Sequence, residues 1–388
     1  MILTLVTIGA ATVALPAFIF GLECLLGVRP IAKSPGSQAP TFALIVPAHD
    51  EGSGISETVR GLLAQLREMD RLIVVADNCM DDTAELARLA GATVVERCEP
   101  ERRGKGYALE FGRNALASAP PSVVIVMDAD CWAEEGHLHH IAAEVHRSSS
   151  VVQAQYLFEP GHSHSPLVQI SNFAVLVKNR IRQRGLARLG APAILQGTGM
   201  GFTWQAFCDA RLDTGAIAED IEIGLDLLRK GHRISWCEQA MVWSRPAAKG
   251  ATLTQRTRWE HGFISSVTGG VPRMIWAAFA QRRLSLLTLA LDLTVPPLAM
   301  LITILTFCLH ATLALMLVAQ IIAPFMIIAS ALAVLVFGTL VAWAAEGRRI
   351  LSLSALLKAP GYVLWKLPIY ARLLVARERD WVRTTRDE

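Results

Sequence analysis

The sequence has no CxxC pair, although it contains seven cysteines. An odd and scattered set, with Cys24 and Cys308 inside apolar runs, argues against a disulfide framework and for a reducing compartment. Charge is also scarce, since 18% of the 388 residues are Asp, Glu, Lys or Arg and the formal net charge is +3. A net charge this small does not imply nucleic-acid binding, and we expect no nucleic-acid partner.

The first apolar run, residues 2–28, lacks the features of a signal peptide that is removed. No Lys or Arg precedes it, and no small-x-small cleavage site follows it. The run is long enough to cross a bilayer, and Pro16 and Glu23 are its only residues unfavourable in a transmembrane helix. We therefore predict that residues 1–28 form a retained transmembrane helix.

Apolar residues are abundant, at 52% of the chain with a mean hydropathy of +0.38, and they are unevenly distributed. A second apolar block covers residues 284–346, which suits two long, tilted transmembrane helices. Pro296 and Pro297 would bend the first of these helices, and Asp292 would need a polar partner. The pattern therefore predicts a membrane protein with a soluble middle region.

Basic residues mark the ends of the apolar blocks, namely Arg29, Arg282 and Arg348. By the positive-inside rule these ends are cytoplasmic. We predict a multi-pass protein of the cell inner membrane, with a cytoplasmic catalytic domain over residues 29–270 and the 318–324 turn outside. Two further regions contact the membrane surface in this prediction: an interfacial segment at 271–283, and an interfacial helix with a cytoplasmic tail at 347–388. A spanning helix at 353–375 is the alternative for the last region.

Within residues 29–270, short apolar runs alternate with helical patterns. The runs are TFALIV (41–46), RLIVVA (71–76), ATVVE (92–96) and SVVIVM (122–127). This alternation predicts an α/β domain whose parallel sheet is covered on both faces. In such sheets ligands bind beyond the carboxyl ends of the strands, so the polar residues that follow each run are the candidate site.

Three of these runs are followed by polar residues, most of them acidic. These residues are His49, Asp50 and Glu51 after the first run, Asp77 and Asn78 after the second, and Asp128 and Asp130 after the fourth. Any one cluster could be a strand-end turn. Unpaired carboxylates repel one another, however, so three clusters at one edge favour a metal ion or a ligand with many donors. Asp128 and Asp130 point the same way on an extended segment and can bind one Mg²⁺ or Mn²⁺, which commonly bridges a diphosphate.

Three later motifs add candidate residues. RRGKGYAL (102–109) places Lys105 between glycines where a helix begins, which suits an anion. QGTGMGF (196–202), which contains Gly199, predicts either a close-approach wall for a sugar or a plain turn. Glu219 and Asp220 begin a helix, where they act either as dipole-stabilised first-turn residues or as a base at the site.

In QRTRW (255–259), residues Gln255, Arg258 and Trp259 share one helix face, because they lie at positions i, i+3 and i+4. That face offers an amide, a guanidinium and an indole ring shortly before the second apolar block. The alternative is an interfacial Trp–Arg pair without a catalytic role.

The ordered motifs resemble those of membrane-bound family 2 glycosyltransferases, which include cellulose, chitin and hyaluronan synthases and ceramide glucosyltransferase. The motifs are VPAHDE, VVADNCMDDT, RGKGYAL, VMDAD, QGTGMGF, AEDIEIGLDL and QRTRW. The resemblance is close over residues 41–270 and general in the flanking spans. It implies an α/β fold of the GT-A class, a nucleotide-sugar-binding domain with a Rossmann-like mixed sheet, plus transmembrane α-helices.

The resemblance also implies a role for each matching residue. Glu51 and Asp77 would hold the uridine of a UDP-sugar, with Lys105 near the nucleotide. Asp128 would bind the nucleotide side of the diphosphate and Asp130 the Mg²⁺ or Mn²⁺. Asp220 would be the general base, with Glu219 beside it, and Gln255, Arg258 and Trp259 would bracket the diphosphate and the acceptor sugar. Two positions depart from the family pattern, since Asp50 replaces the usual Asn and Ala218 the common Thr.

We therefore expect an inverting membrane glycosyltransferase that moves a sugar from a UDP-sugar to a polysaccharide or lipid-linked acceptor at the cytoplasmic face. The sequence leaves polymer synthesis and single addition to a glycolipid as open alternatives. About three spans are few for a self-contained polymer channel, which favours single addition or a partner subunit for polymer export. A membrane nucleotidyltransferase would also need a DxD-type metal site, but it would not need QxxRW. A non-catalytic membrane scaffold or transporter component has only Asp292 and His310 in its favour.

Overall fold

A computed structural model describes residues 2–32, 38–161, 165–213, 218–246 and 249–375. The chain divides into two compact units. The sheet unit comprises Ile31–His162 and Pro192–Ser266, and the helical unit comprises Met1–Pro30, Ser163–Ala191 and Val267–Glu378.

The sheet unit contains one sheet, and its described residues form eight strands. In chain order these are β1 Phe42–Ala48, β2 Arg71–Asp77, β3 Thr93–Arg97, β4 Val123–Val126, β5 Cys131–Ala133, β6 Val151–Phe158, β7 Met200–Thr203 and β8 Ile234–Ser244. Their order across the sheet is β3-β2-β1-β4-β7-β6-β8-β5.

The half of the sheet formed by β3, β2, β1 and β4 is parallel, as the four apolar runs predict. Strand β7 then pairs antiparallel with β4, so the whole sheet is mixed, which confirms the predicted fold class. The sequence does not reveal β7, because MGFT is short and contains glycine, and its strand conformation depends on its neighbours.

Helices of the sheet unit lie between the strands in the sequence. They are α2 Ile55–Leu63, α3 Thr83–Leu89, α4 Lys105–Leu116, α5 His137–Ser148, α8 Trp204–Asp209 and α9 Glu219–Arg229. Apolar side chains of α2 and α5 pack in one buried cluster with those of β1, β4 and β6. The rigid strands therefore end in loops whose polar residues can be held at fixed places.

The helical unit is almost entirely α-helical over its described residues. Its elements are α1 Ile2–Gly27, α6 Pro166–Leu176, a π-helical turn Val177–Arg182, α7 Gln183–Arg188, α11 Leu284–Leu293, α12 Leu298–Ala319, α13 Ala323–Ala345, α14 Leu353–Leu356 and α15 Ala359–Val375. Helix α10, Lys249–Ala280, has residues in both units. Among the described residues, three helices are long and apolar enough to cross a membrane: Leu3–Gly27, Leu298–Ala319 and Ala323–Ala345.

Residues 284–346 contain two apolar helices long enough to cross a membrane, α12 and α13, in the number predicted, together with the shorter α11. Pro296 and Pro297 separate α11 from α12, where a bend within one helix was expected. Residues 163–191, expected in the domain over 29–270, belong to the helical unit. The Arg188 guanidinium donates hydrogen bonds to the carbonyls of Leu26 and Arg29, at 2.6 and 2.8 Å. Contacts this distant in sequence leave no local pattern.

Candidate active site

The carboxyl ends of β1 and β2 turn through left-handed residues. Asp50 has a φ of 51° and Asn78 a φ of 52°, a conformation that Asp and Asn tolerate better than most residues. Asp50 Oδ1 accepts a hydrogen bond from the Met80 amide at 2.6 Å, and Asn78 Oδ1 accepts one from the Glu99 amide at 2.7 Å. Asp50 therefore stabilises the turn as an acceptor, a role open to Asn as well.

Asp77, the last residue of β2, pairs with Arg97 at the end of β3. The Arg97 Nη1 lies 2.6 Å from Asp77 Oδ1, and only 4% of Arg97 is exposed. Burial raises the pKa of Asp77, and the neighbouring Arg97 guanidinium opposes that rise. Arg97 was not among the residues expected at the site. The parallel register of β2 and β3 places it directly opposite Asp77.

Glu51 follows β1 on the same edge, and its backbone N–H donates to the Thr83 hydroxyl at 2.7 Å. Thr83 is the first residue of α3 and is buried. The loop after β1 is thus tied to the helix after β2, which holds Glu51 and Asp77 at adjacent strand ends of one sheet edge.

Lys105 is the first residue of α4, directly after Gly104, whose φ of 128° requires glycine. The Lys105 ammonium forms an ion pair with Asp128 and donates to the Gly197 carbonyl at 2.7 Å. Burial by itself would lower the pKa of Lys105, but the carboxylates of Asp128, Glu219 and Asp220 raise it above its ordinary value. Lys105 is therefore a fixed cation among carboxylates.

Gly197 lies at the point where three charged side chains of the candidate site converge. A Cβ at this position would lie 3.4 Å from Lys105 Nζ, 3.6 Å from Asp220 Oδ2 and 4.0 Å from Asp128 Oδ2. The φ of Gly197 is 87°, which also favours glycine. One cation on α4, one carboxylate just after β4 and one on α9 thus lie within 4.0 Å of the place that a Cβ of Gly197 would take, and this place is called the hollow below.

Gly199, which was expected to contact a bound sugar, lies in a different environment from Gly197. A Cβ there would lie 2.9 Å from Val242 and 3.0 Å from the Cβ of Ala154, both of which are buried residues of the sheet. The structure therefore places Gly197 at the centre of the site and Gly199 behind it, where close packing excludes a side chain.

Asp128 and Asp130 follow β4, as predicted, and one carboxylate oxygen from each lies within 4.8 Å of the other and of Cys131 Sγ. Two converging carboxylates are a suitable ligand set for Mg²⁺ or Mn²⁺. Asp50, Cys79 and Asp81 form a second group of this size. Asp50 and Asp81 there accept backbone hydrogen bonds from Met80 and Gly52, which gives them a structural role in the turn.

Glu219 and Asp220 form the first turn of α9. Burial raises the pKa of Glu219 to about 7; Lys105 opposes the rise and Asp220 contributes to it. Asp220 Oδ1 accepts a hydrogen bond from the Ile221 amide at 2.9 Å, while Oδ2 faces the hollow at Gly197. The helix therefore directs a carboxylate toward Lys105 and Asp128.

The side chains of Gln255 and Arg258 lie outside the described residues. Trp259 is described, and its ring stacks on Phe158 with centroids 6.2 Å apart and an interplanar angle of 11°. Phe158, the last residue of β6, was not identified from the sequence. Phe158 ends the largely apolar run VVQAQYLF, and this run is the sequence pattern from which it could have been predicted.

Comparisons with known proteins agree with this geometry. Residues 123–345 match the family model described as Glycosyl transferase family group 2, and residues 43–200 match the one described as Glycosyl transferase family 2. The chain is similar to poly-β-1,6-N-acetyl-D-glucosamine synthase of Staphylococcus aureus (strain COL), with 26% identity over 231 residues, which cover 57% of this chain and 54% of that protein. It is also similar to the probable glycosyltransferase YdaM of Bacillus subtilis (strain 168), with 24% identity over 238 residues, covering 58% and 56%.

Each of these two matches spans little more than half of the relative's own length. Among solved structures, the mannosyltransferase PcManGT from Pyrobaculum calidifontis in complex with GDP-Man and Mn²⁺ superposes with a TM-score of 0.55. The identity is 18%, and the superposition covers 87% of this chain and 99% of that one. At this identity the likeness shows a shared fold.

Proposed function

The chain belongs to glycosyl transferase family 2, and on this premise we propose that it transfers a sugar from a UDP-sugar to a polysaccharide or lipid-linked acceptor, with inversion. The observation that carries the proposal is the convergence of Lys105, Asp128 and Asp220 around Gly197. A cation, a metal-binding carboxylate and a second carboxylate in one hollow suit a reaction in which a diphosphate leaves and a hydroxyl attacks.

On the donor side, Glu51 and Asp77 would hold the uridine at the ends of β1 and β2. Asp128 and Asp130 would bind a divalent cation, Mg²⁺ or Mn²⁺, which supplies charge neutralisation at the diphosphate. The Lys105 ammonium, fixed by Gly197 O, adds a positive charge next to the same group. Arg258 would add a bidentate contact to the leaving diphosphate, and Gln255 an amide.

On the acceptor side, Asp220 would remove the proton from the attacking hydroxyl as its oxygen forms the new bond to the anomeric carbon. The bond from that carbon to the diphosphate breaks on the opposite face, so the configuration inverts. Trp259, held by stacking on Phe158, would present an aromatic surface to the acceptor sugar.

Polymer synthesis and single addition to a glycolipid are both compatible with this site. The similarity to a poly-β-1,6-N-acetyl-D-glucosamine synthase supports a polysaccharide acceptor. Three helices among the described residues could cross a membrane, a number that suits single addition or the help of a partner subunit in export. An assay of UDP release from a panel of UDP-sugars tests the proposal, since a nucleotidyltransferase would release pyrophosphate.

Asp130→Asn is expected to reduce transfer to near background, because it removes one of the two carboxylates that would hold the cation. The measurement is UDP release with titrated Mn²⁺, together with Mn²⁺ binding measured directly by electron paramagnetic resonance. Glu135→Gln, an exposed carboxylate close in sequence, is the matched control and should behave as wild type. Full wild-type activity in excess EDTA would contradict the metal assignment.

We also propose that the sheet unit faces the cytoplasm of a multi-pass inner-membrane protein, from the basic residues that end the apolar blocks. Cys98 and Cys208 are exposed on the sheet unit and serve as natural reporters. In spheroplasts an impermeant maleimide should label them only after permeabilisation. In a Cys98→Ser, Cys208→Ser background, Gln320→Cys, between α12 and α13, should be labelled without permeabilisation. The reverse pattern would invert the topology.

A further inference from the structure

The segment 196–199 makes two contacts with groups of the candidate active site. The Gly197 carbonyl accepts a hydrogen bond from Lys105 Nζ at 2.7 Å. The Thr198 hydroxyl accepts one from the Asp128 amide at 3.1 Å, and Thr198 is completely buried. The position of this short segment therefore sets the place of the Lys105 ammonium and of the backbone that carries the Asp128 carboxylate.

Gln153, a fully buried residue of β6, holds this segment through its side-chain amide. Its Oε1 accepts a hydrogen bond from the Gln196 amide at 2.9 Å. Its Nε2 donates to the Thr198 carbonyl at 2.9 Å and to the Ala154 carbonyl at 2.8 Å. One side chain thus binds the backbone on both sides of Gly197.

We propose that Gln153 is a positioning residue for the donor and metal site, an inference that rests on the function proposed above. Gln153 reaches the site only through the 196–199 backbone. Gly197 and Gly199 both have positive φ values, of 87° and 65°. Because glycine has no Cβ to limit its backbone conformation, contacts from outside the segment must hold it in place. The Gln153 amide supplies such contacts, because its Oε1 accepts from the Gln196 peptide and its Nε2 donates to the Thr198 peptide two residues on.

Two substitutions separate this role from simple packing. Gln153→Met keeps the length and volume of the side chain but removes every hydrogen bond, which leaves the Gln196 amide and the Thr198 carbonyl without that partner. Gln153→Glu keeps the acceptor oxygen. When its carboxyl group is protonated, it also restores one donor toward the Thr198 carbonyl, so its effect should depend on pH.

Gln155 provides a matched control two residues along the same strand. It is also buried, and its Nε2 donates to the Glu238 carbonyl at 2.5 Å, on β8 rather than on the 196–199 segment. Gln155→Met therefore removes a buried glutamine amide from β6 without touching the restraint on Gly197.

The experiment measures UDP binding in the presence of Mn²⁺ by calorimetry, the melting temperature, and KM and kcat with the UDP-sugar that the panel assay identifies. It uses the full-length protein in detergent. Gln153→Met should weaken UDP·Mn²⁺ binding by about 10- to 100-fold, the range typical of residues that orient metal ligands. The KM for the donor should rise, and Gln155→Met should keep wild-type affinity. Gln153→Glu should lie between Gln153→Met and wild type and should approach wild type as the pH falls from 8.5 to 5.5.

Wild-type affinity in Gln153→Met, or an equal loss of affinity in Gln155→Met, would overturn the inference. If Gln153→Met does not fold, the comparison of Gln153→Glu with wild type across pH decides the matter, and a constant ratio contradicts the positioning role. A wild-type protein that fails to bind UDP with Mn²⁺ would instead contradict the proposed function, so the two failures are distinguishable.

Discussion

Replacing Asp220 by Asn is expected to reduce sugar transfer by a factor of about 10²–10⁴, the range typical for loss of a general base. The melting temperature and the affinity for UDP should stay close to wild type. Asn preserves the shape of the side chain and can still accept the hydrogen bond from the Ile221 amide. What it loses is the basic oxygen that faces Lys105 and Asp128 across the hollow at Gly197.

Asp226→Asn is the matched control for this substitution. Asp226 lies on the same helix and pairs with Lys230 at 2.7 Å, a partly exposed ion pair of i, i+4 spacing that contributes about 0.3–0.5 kcal/mol. Its loss should leave turnover unchanged. If Asp220→Asn retains transfer within a few-fold, Asp220 has a structural role and Glu219 becomes the candidate base. If UDP binding is lost together with transfer, Asp220 organises the donor site instead.

The pH dependence of the rate distinguishes Glu219 from Asp220. A general base acts in its deprotonated form, and burial raises the pKa of Glu219 to about 7. If Glu219 were the base, kcat/KM would rise as the pH increases through about 7, and Glu219→Gln would abolish transfer at every pH. With Asp220 as the base, Glu219→Gln should retain transfer, because the basic oxygen at the hollow is still present.

The parallel half of the sheet could be predicted from the sequence because a strand buried on both faces is a continuous apolar run. The runs that became β1, β2 and β4 are of this kind, whereas β3 lies at the sheet edge and is partly exposed. The ends of β1, β2 and β4 locate the acidic residues of the candidate site. Periodicity therefore gives both the core and the edge at which ligands bind.

Sequence patterns could not predict the roles of Gly197, Arg97 and Gln153. Each role depends on contacts with parts of the chain that are distant in the sequence. Arg97 meets Asp77 through the register of β2 and β3, and Gln153 meets Gln196 and Thr198 across 43 and 45 residues. A single buried glutamine or glycine has no pattern of its own. Such residues become visible only when the hydrogen bonds of buried polar groups are traced in the structure.

Replacing Arg182, at the end of the π-helical turn of the helical unit, is expected to cause a large loss of stability. Arg182 Nε donates to Glu23 on α1 at 2.7 Å, and its Nη2 pairs with the Asp292 carboxylate on α11. The three residues are between 1% and 8% exposed. Glu23 and Asp292, which lie in the first and second apolar runs, thus share one guanidinium, as buried charges require a partner.

Arg182→Met should destabilise the folded protein by about 3–5 kcal/mol, because it leaves two buried carboxylates without their cation. The measurement is thermal unfolding in detergent, together with the yield of protein in the membrane fraction. Arg188→Met is the control. Arg188 is exposed and donates to the carbonyls of Leu26 and Arg29, so its loss leaves no buried charge and should cost much less.

The triple variant Arg182→Met, Glu23→Met, Asp292→Leu identifies the source of the loss. If the cost comes from unpaired charge, replacing both carboxylates by apolar side chains should restore most of the melting temperature, since a buried ion pair replaced by well-packed hydrophobic residues is often close to neutral. If the cost comes instead from the shape of the guanidinium packed between α1 and α11, the triple variant should melt no higher than Arg182→Met. A wild-type melting temperature for Arg182→Met itself would show that the Glu23 and Asp292 carboxylates do not need this arginine.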